Sequence, residues 1–204
     1  GYRPNEESMG RSLEMMAANL EAMNTPEVLK NCFSLMDVTT LATNDTEKSV
    51  KAFVAKVNSV KTLFPDYPSP ASVCVYPNLV NVVASDRQDP ELHATAVSSC
   101  FPSAQSFLEV KVRECELAVE NGADEIDIVL ALNAFLAGDY ERARKEIREM
   151  KAAIDSIPRW LNRPANAADS TKFYDWIVKA CFVDRRVNEN ELPTAADPAD
   201  PADP

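Results

Sequence analysis

Glycine is scarce in this chain. Only four of its 204 residues are glycine, whereas average usage of about 7% would give roughly 14. Backbone loops that hold phosphate groups usually need glycine, because it lets the backbone approach a ligand closely and adopt a positive φ without strain. No glycine follows Gly138. The part of the sequence after Gly138 therefore contains no glycine-rich phosphate loop.

Histidine and paired cysteines are also missing, which argues against a metal site. His93 is the only histidine, and no Cys-x-x-Cys pair occurs, so a zinc site is not expected. A lone histidine without a catalytic partner is more often structural, and that role is expected for His93. The cysteines are widely spaced and mostly in apolar stretches, which predicts reduced core thiols in a cytoplasmic protein. They are Cys32, Cys74, Cys100, Cys115 and Cys181.

Positive charge is in the minority. The net charge of -11 and the sequence pI of about 4.6 exclude nucleic acid and anionic membranes as partners, because both would repel the chain. The sequence has no run of about 18 or more apolar residues that could span a bilayer. Residues 1–8 lack the basic and then apolar pattern of a signal peptide. Together with 46% hydrophobic residues, these features predict a globular protein of the cytoplasm.

Hydrophobic spacing predicts two N-terminal helices followed by alternating strands and helices. Leu13, Met16 and Leu20 follow helical spacing, and Thr25-Pro26 begins a second helix. The later strands are short and apolar on both faces, which is typical of a parallel sheet covered by helices. A closed (β/α)8 barrel takes about 250 residues, so the fold expected is α/β, a partial TIM barrel of about four β–α units within residues 33–154. The predicted strands are 33–38, 72–76, 92–97 and 125–130, and the clearest predicted helices are 103–121 and the helix that Asp139 caps.

The sequence changes character after residue 154. Prolines interrupt residues 155–169, which predicts a linker, and a divergent amphipathic helix is predicted after it. From residue 188 onward there are five acids, no bases and an Ala-Asp-Pro repeat, a composition that predicts disorder. Three segments are therefore expected: a half barrel with N-terminal helices in 1–154, a linker and helix in 155–187, and an acidic tail in 188–204.

Five motifs follow one another in a specific order and spacing. They are Met36-Asp37-Val38-Thr39-Thr40-Leu41 with Asp45-Thr46, Val73-Cys74-Val75-Tyr76-Pro77, Phe101-Pro102-Ser103, Leu108-Glu109-Val110-Lys111, and Gly122-Ala123-Asp124-Glu125-Ile126-Asp127-Ile128-Val129. A lone Gly-Ala-Asp would mean little, but five motifs in register are specific. From about residue 26 to about residue 154, the chain resembles the N-terminal half of the deoxyribose-phosphate aldolase family.

The resemblance implies a class I aldolase. Such an enzyme splits 2-deoxyribose 5-phosphate, a small phosphorylated sugar, into acetaldehyde and glyceraldehyde 3-phosphate through a lysine Schiff base, without a metal or another cofactor. The protonated imine withdraws electrons, so the carbon–carbon bond breaks to an enamine rather than to a carbanion. A carboxylate at the end of a barrel strand then moves protons through a water molecule.

The resemblance assigns roles to four residues. Asp127 matches the family's proton-relay aspartate; the alternative is a helix-capping or surface carboxylate, but an acid inside an apolar run is costly unless it is used. Asp37 and Thr39 match positions that contact the substrate and support the lysine; alternatively, they cap the following loop. Cys74 matches a position that lines the pocket, and a buried structural thiol is the alternative.

The chain also departs from the family. The Schiff-base lysine belongs to a Lys-Thr-Ser-Thr-Gly-Lys motif on the sixth strand, and this motif is absent. Ser170-Thr171-Lys172 is only a superficial echo, because its surroundings have helical spacing, and Lys172 is expected to be a solvated helix residue. In the loop after the third strand, Ser99-Cys100 and Ala104 stand where the family usually has glycine.

Three functional hypotheses follow. Without the Schiff-base lysine, the chain is expected to be inactive by itself, through truncation or a changed reading frame after about residue 155. It is alternatively a non-catalytic interaction protein, because a half barrel leaves open strand edges and apolar faces that favour pairing with another chain or, in a homo-oligomer, with a second copy. A third hypothesis is a split enzyme, active only with a partner that supplies strands five to eight.

Overall fold

Strands alternate with helices in the structure, a computed structural model that describes residues 5–157. The predicted α/β class is confirmed. The helices are α1 (Glu6–Met23), α2 (Pro26–Ser34), α3 (Glu47–Asn58), α4 (Val60–Leu63), α5 (Val80–Asp86), α6 (Leu108–Glu120), α7 (Leu132–Leu136) and α8 (Tyr140–Asp155). The strands are β1 (Asp37–Thr39), β2 (Ser72–Val75), β3 (His93–Ser98) and β4 (Glu125–Ile128), and a 3-10 turn covers Pro77–Leu79.

The four strands belong to one sheet, in the order β1-β2-β3-β4. β1 pairs with β2, and β3 with β4, in the parallel sense. This is the succession of β–α units found in a (β/α)8 barrel, of which the described residues supply four strands. The chain divides into two compact units, whose described parts are residues 5–74 with 82–94, and residues 75–81 with 95–157.

Helix α3 contributes to the core of the first unit. It begins with a capping box: Thr46 Oγ1 accepts a hydrogen bond from the Ser49 N–H at 3.1 Å, and Ser49 Oγ accepts one from the Thr46 N–H at 2.9 Å. Its apolar side chains Val50, Val54 and Val57 are buried, as their spacing along one helix face predicts. The cap therefore fixes where α3 begins, and the spacing of the three valines determines which side of it faces the core.

In the second unit, α6 and α8 form a buried cluster against which β4 packs. Ile126 and Ile128 of β4 face this cluster. Helix α8 begins where predicted, because the Asp139 side chain accepts a hydrogen bond from the Arg142 N–H at 3.1 Å. The cluster consists of Cys115 and Val119 from α6 and of Met150 and Ile154 from α8.

The predicted boundary of the first strand is wrong. Phe33 and Ser34 belong to α2, and β1 begins only at Asp37. Thr25 caps α2 by accepting a hydrogen bond from the Val28 N–H at 3.2 Å. The helix continues to Ser34, so a short apolar run that reads as a strand is partly helical. Propensity and periodicity cannot separate the two in so short a run.

The helix predicted from residue 103 begins later, at Leu108. Residues before it form turns, and Ser99, Cys100 and Ala104 have positive φ values of 58°, 58° and 54°. A helix cannot form through such residues, because the right-handed helix requires negative φ. A loop after the third strand was expected at Ser99 and Cys100, but the helix was expected to begin at residue 103, and the positive φ of Ala104 prevents this.

The first predicted helix and the cysteines expected in the core have different outcomes. Helix α1 is confirmed, but none of its residues is buried. Cys32 is exposed, so its expected place in the core is wrong, whereas Cys74 and Cys115 are buried and Cys100 is partly buried.

None of the helices within residues 5–157 is long and apolar enough to cross a bilayer. The predicted linker, C-terminal helix and acidic tail lie outside the described residues, except for 155–157.

Candidate active site

Three of the four predicted site residues lie together on β1 and β2. Asp37 and Thr39 point to the same face of the sheet, because side chains alternate along a strand. They are in register with Ser72 and Cys74, so all four share that face. The Ser72 hydroxyl donates a hydrogen bond to Asp37 Oδ1 at 2.7 Å, and Thr39 Oγ1 donates to the Asp37 carbonyl at 3.2 Å. Asp37 and Thr39 are exposed, while Cys74 is buried; their substrate contacts stay a prediction.

The loop after β1 is capped by Asp45. Asp45 Oδ2 accepts hydrogen bonds from Thr40 Oγ1 at 2.7 Å and from the Ala42 N–H at 3.0 Å. Capping of this loop was the alternative role for Asp37 and Thr39. Asp45 therefore caps this loop, whereas the hydrogen bonds of Asp37 and Thr39 are made within the sheet; their role towards a substrate stays a prediction.

Asp127 lies on β4 between Ile126 and Ile128. Those two isoleucines pack against the cluster of α6 and α8, so alternation directs Asp127 to the other side of the strand. Asp127 is exposed. The argument that this carboxylate is costly because it is buried is therefore wrong, and its catalytic role stays a prediction that now depends on position alone. The neighbour of Asp127 on β3 is Val97.

Every lysine within residues 5–157 lies on a helix and none lies on a strand. In a (β/α)8 barrel the helices form the outer ring, and catalytic side chains come from strand ends and the loops after them. The described lysines are therefore in the wrong layer for a strand-borne Schiff base. They are Lys30, Lys48, Lys51, Lys56, Lys61, Lys111, Lys145 and Lys151.

Lys111 is the buried member of that set, with 1% exposure. Its Nζ lies 2.6 Å from Glu146 Oε2, so α6 and α8 are joined by a buried ion pair. The second carboxylate oxygen of Glu146 lies 3.2 Å from Arg142 Nε. A buried lysine whose Nζ is held by a carboxylate in this way is not available to attack a substrate carbonyl. Lys172, the other lysine that the sequence analysis considered, lies outside the described residues.

His93 begins β3, and its backbone N–H donates a hydrogen bond to the Ala71 carbonyl at 2.9 Å. Its structural role stays an expectation. Within the described residues, no group of three or more His, Cys, Asp or Glu side chains is arranged to hold a metal ion.

Several known proteins are similar to this chain over most of its described length. A curated protein of Caenorhabditis elegans, named "Putative deoxyribose-phosphate aldolase", is 36% identical over 148 residues, which is 70% of this chain and 46% of that protein. A solved structure described as "QR15, an Aldolase" matches with a TM-score of 0.54 and 28% identity over 61% of this chain and 51% of that one. The chain resembles the deoxyribose-phosphate aldolase family. No family model matches it.

A second solved structure supports the fold. It is described as a putative deoxyribose-phosphate aldolase from Coccidioides immitis, and it matches with a TM-score of 0.54 and 23% identity over 61% of this chain and 46% of that one. The chain spans about half the length of the relatives that it matches. The similarity to deoxyribose-phosphate aldolases therefore concerns part of their barrel.

The loop after β3 contains three residues with positive φ that are not glycine. They are Ser99, Cys100 and Ala104, the positions at which the resemblance to the aldolase family leads us to expect glycine. This conformation costs a residue with a side chain about 1–2 kcal/mol. The Cys100 N–H donates a hydrogen bond to Glu114 Oε2 at 2.7 Å, a charge-assisted contact that offsets part of the cost.

Ser99 links the end of β3 to the end of β4 by hydrogen bonds. The sequence did not predict this link. Its hydroxyl accepts a hydrogen bond from the Val129 N–H at 2.7 Å and donates one to the Val129 carbonyl at 3.0 Å. The neighbouring Ser98 hydroxyl lies 3.1 Å from the Cys115 sulfur. Burial raises the pKa of the Cys115 thiol to about 11. The signal in the sequence was the pair Ser98-Ser99 at the end of a buried strand, because buried hydroxyl groups need hydrogen-bond partners.

Proposed function

We propose that residues 33–154 form the proton-relay half of a class I deoxyribose-phosphate aldolase site, and that this chain makes no Schiff base by itself. The observation that carries the proposal is the placement of its charged groups. Asp127 is on the exposed side of β4, whereas every described lysine is on a helix. A carboxylate is thus present at the expected strand, and no lysine within residues 5–157 lies on a strand to face it.

The proposed roles come from the resemblance to the aldolase family, and the positions of the residues are compatible with them. Asp127 would move protons to and from the substrate carbons through a water molecule. Asp37, positioned by the Ser72 hydroxyl, and Thr39 would contact the 2-deoxyribose 5-phosphate hydroxyls beside the pocket-lining Cys74. The amine that forms the imine would come from a segment equivalent to strands five to eight. Cleavage would then need both halves, and no metal or other cofactor takes part.

A cytoplasmic location belongs to the same proposal. It is supported by the four free cysteines of the described residues, because thiols stay reduced in that compartment.

Complementation tests the proposal. The full chain is mixed with a fragment carrying strands five to eight of a similar aldolase, such as the Caenorhabditis elegans protein, and cleavage of 2-deoxyribose 5-phosphate is followed. We expect no cleavage by either part alone and measurable cleavage by the mixture. Activity of this chain alone, or no activity in a mixture that forms a folded complex, would contradict the proposal.

Substitution of Asp127 makes that test specific. In the active mixture, Asp127→Asn should lower kcat by about 10²–10⁴-fold, the usual contribution of a general acid or base. Asp66→Asn is the matched control, because Asp66 is also an exposed aspartate but lies in the loop before β2. Equal rates for the two variants would remove Asp127 from the proposed role.

A further inference from the structure

The turn after β3 is held in a strained backbone conformation. Ser99 and Cys100 both have a φ of 58°, a left-handed conformation that residues with a side chain rarely adopt. Residues of this kind persist only where the surrounding structure holds them, and they gather at functional sites. The turn lies at the C-terminal end of a barrel strand, which is the end that carries catalytic residues. Its strain therefore indicates a nearby group that holds it for a purpose.

The carboxylate of Glu114, on α6, holds this turn. Its Oε2 accepts a hydrogen bond from the Cys100 N–H at 2.7 Å and one from the Ser98 hydroxyl at 3.3 Å. A hydrogen bond from a backbone N–H to a carboxylate is about twice as strong as one between neutral groups. One carboxylate oxygen therefore binds the residue before Ser99 and the residue after it, and fixes the backbone of Ser99 between them.

The same turn holds the end of β4. The paired register of β3 and β4 ends at Ser98 and Ile128, and Ile128 directly follows Asp127. Beyond this pair, the Ser99 hydroxyl accepts a hydrogen bond from the Val129 N–H at 2.7 Å and donates one to the Val129 carbonyl at 3.0 Å. Both backbone groups of Val129 therefore depend on the direction of the Ser99 side chain, which the strained turn sets.

We propose that Glu114 is a positioning residue for Asp127. It holds the turn at Cys100, and the turn directs the Ser99 hydroxyl, which holds β4 two residues beyond the carboxylate of Asp127. Glu114 lies on a helix, in the outer layer of a barrel, so it acts through the backbone rather than on a substrate. The role of Asp127 rests on the proposed function, but the link from Glu114 to the end of β4 is measurable in this chain alone.

Amide hydrogen exchange in the full chain, followed by NMR, tests that link. Glu114→Ala removes the carboxylate and keeps a residue that favours the helix. Exchange of the Cys100 and Val129 N–H groups should become at least about tenfold faster, because a hydrogen bond to a charged group changes an equilibrium by that factor. Glu116→Ala is the matched control, because Glu116 is also a partly buried glutamate of α6 but pairs with the exposed Arg113. It should leave both rates within about threefold of wild type.

A second change in the turn separates positioning from a general loss of stability. Glycine adopts a positive φ without strain, so Cys100→Gly should relieve most of the need for Glu114. When Glu114→Ala is combined with Cys100→Gly, the Val129 exchange rate should return to within about threefold of the rate in Cys100→Gly alone. If Glu114→Ala does not fold, Glu114→Gln takes its place. The amide keeps a neutral acceptor, so exchange should accelerate less, but still more than in the Glu116 control.

The mixture that contains strands five to eight tests the consequence for Asp127. Per mole of folded complex, Glu114→Ala should lower kcat about tenfold and leave KM within about threefold, because displacing a reacting group slows the chemical step. Cys100→Gly should restore kcat.

Three exchange results would overturn the proposal: an unchanged Val129 rate in Glu114→Ala, an equal acceleration in Glu116→Ala, or no recovery with glycine. Faster exchange with an unchanged kcat would overturn the role towards Asp127. An inactive wild-type mixture would contradict the proposed function instead, and the exchange rates would still decide whether Glu114 holds the end of β4.

Discussion

The two faces of β4 carry different kinds of side chain. On the side that faces α6 and α8, Ile126 and Ile128 pack against a buried apolar cluster, and the same two helices are joined by the buried pair of Lys111 and Glu146. On the other side, Asp127 is exposed. A lysine and a carboxylate of the same compact unit therefore lie in different layers, and residue types alone do not make a catalytic pair.

The largest expected effect tests the helix-covered side. Glu146→Leu leaves the Lys111 ammonium buried without its partner, which should lower the free energy of unfolding by about 3–5 kcal/mol. Lys111→Met should cost less, because Glu146 keeps its contact with Arg142. Urea denaturation measures both variants. If Lys111→Met costs more than Glu146→Leu, the contact with Arg142 does not compensate Glu146 for the loss of Lys111.

The control for this pair is an exposed ion pair on the same helix. Lys145 Nζ lies 3.5 Å from Glu149 Oε1, and the Lys145 side chain is 70% exposed. Lys145→Met should change stability by about 0–1 kcal/mol, because water screens such pairs. A cost similar to that of Glu146→Leu would show that the buried and the exposed ion pair contribute equally to stability.

A smaller effect is expected where β3 meets the end of β4. Ser99→Ala removes both hydrogen bonds to the Val129 backbone and leaves buried polar groups unpaired, so unfolding should become easier by about 1–3 kcal/mol. Ser103→Ala, at an exposed position of the same loop, is the control and should cost less than about 0.5 kcal/mol. Equal losses in thermal denaturation would show that Ser99 does not fasten the strands.

The smallest effect at neutral pH concerns Cys115, in the buried cluster. Its pKa rises from 9.0 to about 11 in the fold, mainly because burial disfavours the thiolate. The folded state thus favours the neutral thiol, and the resulting stability is intact below pH 9.0 and is lost as the pH rises through about 11. Wild type should therefore lose more stability than Cys115→Ala between about pH 8 and about pH 10.5. The same loss in both proteins would contradict a buried titrating thiol.

Thiol labelling compares the same cysteine with an exposed one. Iodoacetamide at neutral pH should modify Cys32, which is exposed, and leave Cys115 unmodified until the chain unfolds. Peptide mass mapping reads out both positions. Rapid labelling of Cys115 in the folded chain would mean that the cluster under β4 opens readily.

The sequence predicted the order of strands and helices because each β–α unit has a strong local signal. Caps such as Thr46 and Asp139, and stripes such as Val50, Val54 and Val57, depend on neighbours in the chain. The sequence failed at 33–38, where a short apolar run continues a helix. The boundary between α2 and β1 depends on where β1 pairs with β2. The residues on either side of the boundary do not reveal that pairing.

The candidate site was predicted through family motifs rather than through its environment. The resemblance assigns Asp37, Thr39 and Cys74 to the site, and the register of β1 and β2 places them on one face of the sheet. The exposure of Asp127 was not predicted, because an apolar run does not reveal which face of its strand is covered. The ion pair of Lys111 and Glu146 was also missed, since its members are 35 positions apart in sequence.

The most direct test of the account asks whether any lysine of this chain forms an imine. The full chain is incubated with acetaldehyde and reduced with borohydride, and its lysines are mapped by mass spectrometry beside an active deoxyribose-phosphate aldolase as positive control. We expect the control to carry a stoichiometric adduct on one lysine and this chain to carry none. A stoichiometric adduct on Lys111, or on any other single lysine of this chain, would contradict it.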